Sequence, residues 1–223
     1  MSGYFITGTD TGVGKTIVTL AVMELLKHRG FEVAGMKPVA SGCDSSAAGL
    51  RNSDAGQIMQ ACSSNLPYLQ VNPYAFEPAI APHIAAARSG ETIRIKEIVS
   101  ACRDLEDISD RVVVEGVGGW EVPLGNEAML PDLARRLKLP VILVVGLRLG
   151  CINHALLTAS AIRATGLEFG GWIANQLQPR MEAVDEIINT LRERIDAPLL
   201  GVFPWCEEPK PGEMTGYLKE FPE

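Results

Sequence analysis

The sequence predicts an α/β fold in which a mostly parallel β-sheet carries helices on both faces. Short apolar runs, each closed by glycine or a polar residue, alternate along the chain with longer segments of helical periodicity. The length of 223 residues, with 47% hydrophobic and 21% charged residues, also suits one α/β domain with a full core. We therefore expect a single domain over residues 1–223.

The predicted elements alternate along the chain. The apolar runs predict buried strands at 4–7, 33–38, 111–115, 141–145, 169–175 and 199–203. Helical patterns fall at 15–28, 53–62, 82–89, 95–105, 131–137, 153–164 and 180–195. Three further segments are expected to lack regular structure: a mobile loop at 44–52, an irregular excursion at 65–82 and a polar surface tail at 207–223. Ligands of such folds bind at the carboxyl ends of the strands, where the motifs below also fall.

A glycine-rich segment follows the first strand and opens the first helix. Residues 8–16 read GTDTGVGKT. Loop N–H groups and a helix N-terminus attract polyphosphate, Lys15 would reach the terminal phosphates, and the Thr16 hydroxyl would hold a magnesium ion. The strict phosphate-loop pattern has glycine at the position of Thr9, so this is a variant loop. The order of strand, loop, Lys-Thr and helix favours this interpretation over a chance glycine turn, and makes the predicted fold P-loop NTPase-like.

Three charged residues lie at neighbouring strand ends or helix starts. Glu115 closes a strand before the glycines of GVGG, and could bind magnesium or merely cap the strand. Lys37 lies at the end of the second strand, and could neutralise transferring phosphate or be an exposed loop lysine. Asp54 begins a helix, where it could bind metal or simply favour the helix dipole. The pattern alone leaves these alternatives open.

Two further strand ends carry polar groups. Free N–H groups at Gly150 and Cys151 could bind an anion such as a carboxylate, although an ordinary turn capped by Asn153 is an equal alternative. The amides of Asn175 and Gln176 could read an adenine edge or form a turn. The three histidines lack metal-ligand spacing or a nucleophile partner, and we interpret them as structural.

The composition disfavours several classes of protein. The net charge of −7 and the absence of a long Lys/Arg run disfavour nucleic acid or an anionic membrane as partners. The longest apolar run, 139–147, is far below the roughly 20 residues of a membrane span. No export-signal pattern precedes the first strand, and the five scattered cysteines contain no C-x-x-C pair. We expect a cytoplasmic protein with reduced thiols.

Taken together, the motifs closely resemble those of the dethiobiotin synthetases, over nearly the whole chain. The matching segments are GTDTGVGKT (8–16), KPVASG (37–42), GLRNSD (49–54), VNPYAF (71–76), PH (82–83), VEGVGGW (114–120), LVVG (143–146), LGCINH (149–154), GWIAN (171–175), PLLG (198–201) and PW (204–205). KPVASG and LGCINH are far more specific than a phosphate loop alone.

The resemblance implies an ATP-dependent cyclo-ligase of biotin biosynthesis. Its substrates would be 7,8-diaminononanoate, CO2 and ATP with Mg2+, and its product dethiobiotin, formed through a carbamate and a carbamic-phosphate intermediate. It also implies a homodimer with active sites at the subunit interface. Nucleic acid and membranes are not expected partners.

The resemblance also implies roles for individual residues. Catalytic roles fall to Lys37, Lys15 and Thr11, and magnesium ligation to Thr16, Asp54 and Glu115. The nucleotide would contact Gly12, Val13, Gly14, Lys15, Thr16, Ile17, Asp54, Glu115, Gly116, Val117, Gly118, Asn175, Gln176, Pro204, Trp205 and Cys206. The diamine would contact Thr11, Lys37 and Ser41, and its carboxylate would be received by Gly150, Cys151 and Asn153 of the partner subunit.

Two other classes share parts of this pattern. Switch ATPases that position plasmids or division sites carry a signature lysine five residues before the loop lysine, where this chain has Asp10. Amide-forming relatives that act on a cofactor precursor usually carry an added glutaminase domain, for which 223 residues leave no room. Position 12 is also glycine, where some dethiobiotin synthetases have an acid.

Overall fold

A computed structural model describes residues 2–126 and 128–221, and its main feature is a six-stranded parallel sheet of order β10-β9-β8-β1-β7-β2. The strands of the described residues are β1 (Gly3–Gly8), β2 (Val33–Met36), β3 (Val39–Ser41), β4 (Asp44–Ser46), β5 (Gly49–Arg51), β6 (Tyr74–Phe76), β7 (Arg111–Glu115), β8 (Val141–Leu147), β9 (Phe169–Gln176) and β10 (Leu199–Phe203). The predicted α/β fold class is confirmed.

Helices cover both faces of this sheet. They are α1 (Lys15–His28), α2 (Ser53–Ala61), α3 (Tyr68–Val71), α4 (Pro82–Ser89), α5 (Ile95–Glu106), α6 (Leu130–Leu137), α7 (Cys151–Ala164), α8 (Val184–Arg194) and α9 (Pro211–Met214), followed by a 3-10 turn (Thr215–Tyr217). Helix α1 packs on β1, β2 and β7 and contacts α9, whereas α5 packs with α6 and α7 with α8. Right-handed crossovers between parallel strands put α5 to α8 on the face opposite α1.

The sheet register brings the motif-bearing loops together. Strand β1 lies between β7 and β8, with Ile6 opposite Glu115 and Gly8 opposite Val144. All seven residues of β8 are buried, which is typical of a strand covered on both faces. Because the strands are parallel, the loops that follow β1, β2, β7 and β8 emerge at the same edge.

Two segments expected to be irregular contain regular structure. The predicted loop at 44–52 is instead a hairpin in which β4 and β5 pair antiparallel, and Gly49, directly after the two-residue turn, adopts φ +95°. The excursion at 65–82 contains α3 and also β6, which pairs parallel with β3. Strands of three residues are too short to give a periodic signal in the sequence.

The predicted surface tail is also partly wrong. Met214, Leu218 and Phe221 are buried, and the Phe221 ring lies 4.9 Å from that of Tyr4 between centroids. These apolar residues are spaced four and three apart in a polar segment, which is enough for one docking face. Residues 222 and 223 of the predicted tail lie outside the described residues.

Two helix starts differ from the predicted ones by more than one residue. Helix α7 begins at Cys151 rather than 153, because Gly150 adopts φ +90° and forms the N-cap. Helix α8 begins at Val184 rather than 180, after Ala183 at φ +56°. Within residues 2–126 and 128–221, no helix has the length and apolar content needed to cross a membrane.

Candidate active site

A cavity of about 750 Å³ opens at the carboxyl edge of the sheet. It brings together loops from β1, β2 and β7 with the start of α2 and the segment before α4. Its lining residues are Asp10, Thr11, Gly12, Gly14, Lys15, Thr16, Lys37, Ala40, Ser41, Asn52, Asp54, Ala79, Ile80, Ala81, Pro82, Glu115, Val117, Gly118, Gly119 and Val122.

The phosphate-loop motif has the backbone geometry that it needs. Gly14 lies at φ +89° and forms the N-cap of α1, so Lys15 begins the helix. A Cβ on Gly14 would come within 2.1 Å of the Asn175 side-chain nitrogen. Glycine is therefore required here both by the left-handed backbone and by the close approach of Asn175.

Lys15 is a buried cation that faces this cavity. Its Nζ donates a hydrogen bond to the Asp10 carbonyl at 2.8 Å. Burial, and after it the nearby Lys37, lower the pKa of Lys15 to about 8, against the opposing effects of Glu115, Asp54 and Asp10. A bound polyanion would relieve both of these unfavourable contributions.

A second buried cation, Lys37, is paired with a fully buried carboxylate. Lys37 is 5% exposed and Glu115 is 0% exposed, so Lys37 is not an exposed loop lysine. Lys37 Nζ donates to Glu115 Oε1 and, at 3.1 Å, to the Gly116 carbonyl. The Asp54 Oδ2 lies 3.7 Å from Lys37 Nζ, and the Thr16 hydroxyl donates to Glu115 Oε1 at 3.2 Å. Two of the three predicted metal ligands, Glu115 and Asp54, therefore flank the Lys37 ammonium group, and the third, Thr16, is hydrogen-bonded to Glu115.

The oxygen groups around Lys37 fit a magnesium ion that also binds phosphate. Glu115 Oε2 is buried and has no hydrogen-bond partner in the described part of the chain, so one acceptor is available. Hydroxyl and carboxylate oxygens, here those of Thr16, Asp54 and Glu115, are ligands that Mg2+ prefers. No group of three or more His, Cys, Asp or Glu within the described ranges could hold a metal alone. Phosphate oxygens would have to complete the coordination.

A smaller cavity of about 220 Å³ lies beyond the phosphate loop. Its lining residues are Gly12, Gly14, Ile17, Asn175, Gln176, Leu177, Phe203, Pro204, Trp205, Cys206, Pro209 and Met214. Asn175 Nδ2 donates to the Val13 carbonyl at 2.9 Å, and no donor among residues 2–126 and 128–221 is bonded to its Oδ1. The backbone N–H of Trp205 donates to Gln176 Oε1 at 3.1 Å. A flat, partly apolar base would fit this cavity, next to the phosphate loop.

The predicted carboxylate-binding residues lie outside both cavities. Gly150, Cys151 and Asn153 form the start of α7, and Gly150 rather than Asn153 is the N-cap. Their loop connects to the main cavity through Arg148, whose Nη2 lies 2.5 Å from Asp10 Oδ2. Within one chain, these residues do not meet the groups around Lys37.

Several residues that line the main cavity were not among the site residues predicted from the sequence. The apolar segment 79–82 and Val122 form an apolar wall of the main cavity. Asn52 lies at the cavity edge, where its Oδ1 accepts the Ala55 N–H and caps α2. Ser41 Oγ was predicted, and it is buried with no hydrogen-bond partner among the described residues. The prolines of 65–82 were the available signal for this wall, because they indicated a long loop of fixed shape.

Comparison with known proteins identifies the family. A family profile described as an AAA domain matches residues 2–211. The chain is 47% identical to the ATP-dependent dethiobiotin synthetase of Marinobacter nauticus, over 98% of this chain and 94% of that protein. It is 48% identical to the enzyme of the same name from Pseudomonas aeruginosa, over 98% and 96%, and 49% identical to that from Xanthomonas oryzae pv. oryzae, over 91% and 90%.

Solved structures share the fold at low sequence identity. The MinC:MinD cell division protein complex of Aquifex aeolicus matches with a TM-score of 0.59 and 18% identity, over 97% of this chain and 85% of that one. The signal recognition particle 54 kDa protein of Aeropyrum pernix matches with a TM-score of 0.50 and 17% identity, over 95% and 42%. These likenesses support the P-loop NTPase fold alone, whereas the near full-length identities of 47–49% are decisive: the chain belongs to the dethiobiotin synthetase family.

Proposed function

We propose that this chain closes the ureido ring of dethiobiotin from 7,8-diaminononanoate, CO2 and ATP. Its relatives are named ATP-dependent dethiobiotin synthetases, and this is the reaction that we expect of such an enzyme. The observation that carries the proposal is the pair of buried ammonium groups, Lys15 and Lys37, in one cavity with the Glu115 carboxylate. Such a cluster suits a reaction whose charge gathers on phosphate oxygens. Phosphoryl transfer needs positioning and charge neutralisation more than a protein nucleophile.

The reaction balances without a covalent enzyme intermediate. One substrate amine adds to CO2 and loses a proton, which gives a carbamate. A carbamate oxygen attacks the γ-phosphorus of ATP, and ADP leaves. The second amine then attacks the carbonyl carbon of the mixed anhydride, phosphate leaves with the C–O bond electrons, and loss of a proton completes the ring. Holding the two amines beside the phosphate replaces an encounter in solution with a positioned reaction.

The polar and charged residues predicted for the main cavity have distinct roles in this scheme. Lys15 would neutralise the terminal phosphates, and Lys37 would leave Glu115 to contact the carbamate and the transferring phosphoryl group. Thr11 and Ser41 would hold the diamine end of the substrate. Mg2+, held by Thr16, Asp54 and Glu115 together with phosphate oxygens, would supply further charge neutralisation. Lys37 Nζ is bonded to Glu115 Oε1 in the free protein, so this ion pair has to open before Lys37 can contact the transferring group, whereas Glu115 Oε2 is available to magnesium throughout.

The smaller cavity would hold the nucleoside of ATP. The nucleotide contacts expected there are Ile17, Asn175, Gln176, Pro204, Trp205 and Cys206, and around the phosphates Gly12, Val13, Gly14, Gly116, Val117 and Gly118. The free Oδ1 of Asn175 is an acceptor that suits the exocyclic amine of adenine. Gly12 and Gly14 line both cavities, so the two cavities adjoin each other at the phosphate loop.

We further propose that the protein is a cytoplasmic homodimer of single-domain subunits, each spanning residues 1–223, with no nucleic-acid or membrane partner. Gly150, Cys151 and Asn153 of the partner subunit would receive the substrate carboxylate. Exposed apolar side chains beside these residues support an interface there: Leu149 is 99% exposed and Leu157 is 64% exposed.

A coupled assay tests the proposed reaction. Purified protein with 7,8-diaminononanoate, bicarbonate and MgATP should release dethiobiotin and phosphate in equal amounts. Lys37→Ala should lower kcat by about 100-fold or more, because a cation that acts on developing charge is lost, while ATP affinity changes much less. Lys210→Ala is the matched control, since Lys210 is an exposed lysine paired with Glu213 at 3.4 Å. Near-normal turnover by Lys37→Ala would overturn the role assigned to Lys37.

A further inference from the structure

One ion pair joins the phosphate loop to the loop that carries the anion-binding helix start. Arg148 Nη2 and Asp10 Oδ2 lie 2.5 Å apart, although 138 positions separate them in sequence. The contact exists because β1 and β8 are neighbours in parallel register, and the Thr9 N–H donates to the Val144 carbonyl at 3.0 Å. The two loops therefore leave the sheet side by side.

The Asp10 end of this pair is part of the phosphate-binding machinery. Its Oδ1 accepts the Thr11 N–H at 2.8 Å, and its carbonyl accepts Lys15 Nζ at 2.8 Å. When Lys15 turns to bound phosphates, Asp10 loses the bond at its carbonyl but keeps a carboxylate that is already engaged with Arg148. Nucleotide binding thus changes the restraints on Asp10 directly.

The Arg148 end sets the start of α7. The Arg148 carbonyl accepts the Cys151 N–H at 3.0 Å, which closes the turn that holds Gly150 at φ +90°. Arg148 lines neither of the two cavities, and so it does not touch the proposed nucleotide or diamine positions. Its side chain can act on the α7 start only through the position of this turn.

We propose that Asp10 and Arg148 are positioning residues that couple nucleotide binding at one phosphate loop to carboxylate binding by the α7 start of the same subunit. Under the proposed function, which this inference extends, that α7 start serves the active site of the second subunit. The ion pair then links the two active sites of the dimer. A two-site coupling of this kind must appear as a change in one ligand's affinity when the other is bound.

Titration calorimetry of the intact dimer measures this coupling. The Kd of 7,8-diaminononanoate is measured with and without magnesium and the non-hydrolysable analogue AMP-PNP. The wild-type ratio of the two Kd values should differ from one by about fivefold or more. Arg148→Gln should bring the ratio below about twofold, and adding Asp10→Asn should change it little further, because the two residues act as one pair. Arg148→Lys, which keeps a cation, should restore part of the ratio.

Two controls separate this role from general damage. Arg163→Gln removes another ion pair of α7, with Asp196 at 3.2 Å, and should leave the ratio at its wild-type value. In turnover assays, Arg148→Gln should raise the KM for the diamine more than the KM for ATP, with kcat at saturation little changed. A wild-type ratio near one, or an unchanged ratio in Arg148→Gln, would overturn the coupling. Absence of dethiobiotin formation by the wild type would instead overturn the proposed function on which the coupling rests.

Discussion

At the scale of single residues, the site depends on contacts that allow little change of side chain. Gly14 combines a left-handed backbone with an approach so close that a Cβ would lie 2.1 Å from Asn175 Nδ2. Asn175 is itself held by the Val13 carbonyl at 2.9 Å. A change at Gly14 therefore disturbs the phosphate loop and the proposed adenine contact together.

Gly14→Ala should weaken ATP binding and also destabilise the fold. The strained backbone alone should cost about 1 kcal/mol or more, because a residue with a Cβ disfavours this conformation. We expect at least a tenfold rise in the Kd for MgATP by calorimetry and a lower melting temperature. Gly216→Ala is the control, since a Cβ at Gly216 would meet open space. Unchanged ATP affinity in Gly14→Ala would contradict this account of the loop.

The cysteines should differ sharply in reactivity. Burial, aided by Glu106, raises the pKa of the Cys102 thiol to about 12, so at pH 8 it is almost wholly the unreactive thiol. The reactivity of each thiol rises as the pH approaches its pKa and the thiolate forms. For Cys102 this rise occurs only above the pH at which enzymes are normally assayed. Cys206 is exposed and lines the smaller cavity. Iodoacetamide at pH 8 should label Cys206 quickly and leave Cys102 unlabelled until the protein unfolds.

MgATP should protect Cys206 from this labelling, because a base in the smaller cavity would cover the thiol. Mass spectrometry after timed labelling measures the effect, and we expect at least a fivefold slower rate. Cys206→Ser should remove the fast-labelled site. Equal labelling rates with and without MgATP would place the nucleoside elsewhere.

At the scale of elements, short helices position charged groups at the edge of the sheet. Helix α2 carries Asp54 in its first turn, and Asn52 caps it by accepting the Ala55 N–H at 3.1 Å. The Asn52 N–H in turn donates to the Tyr68 hydroxyl at 2.8 Å, which joins α2 to α3. The position of one proposed magnesium ligand therefore depends on a helix cap.

Asn52→Ala should lower the free energy of unfolding by about 1 kcal/mol, since an N-cap hydrogen bond is lost. Denaturant unfolding measures the change. The same variant should raise the magnesium concentration needed for half-maximal turnover, because the first turn of α2 loosens around Asp54. Asn52→Asp can still cap the helix and should lose much less stability. If both variants lost stability equally, the cap would not be the cause.

At the scale of the whole molecule, the parallel sheet places loops from distant parts of the chain around the main cavity. The start of α7 lies outside that cavity. The proposed site needs Lys37 of one subunit and Asn153 of the other. An activity shared in this way is open to a test by mixing defective subunits, since a symmetric dimer repeats each site twice.

Lys37→Ala and Asn153→Ala homodimers should each be weakly active, whereas their mixture should recover activity. Random exchange gives heterodimers in about half of the population, each with one intact site, and so about a quarter of the wild-type rate. Native mass spectrometry has to verify the heterodimers. Heterodimers without recovered activity would contradict a site shared between subunits.

Much of this protein could be predicted from the sequence alone, because the predictive signals are local. The alternation of strands and helices, the GTDTGVGKT loop and the family resemblance follow from residues close together in the chain, and the fold class and family are confirmed. The sequence also predicted that Lys37, Glu115 and Asp54 lie at strand and helix ends. Their detailed roles stay predictions.

The tertiary structure decided what depends on contacts between distant segments. The sequence left open whether Lys37 is a cation of the site or an exposed loop lysine. The answer depends on its burial against Glu115, 78 positions away, and no local pattern carries that information. The docked tail, the β3–β6 pairing and the Asp10–Arg148 ion pair arise for the same reason, since each forms only after the sheet has set its strand order. Local sequence thus determined the phosphate loop and the longer strands and helices, while packing determined the short elements and which charges face one another.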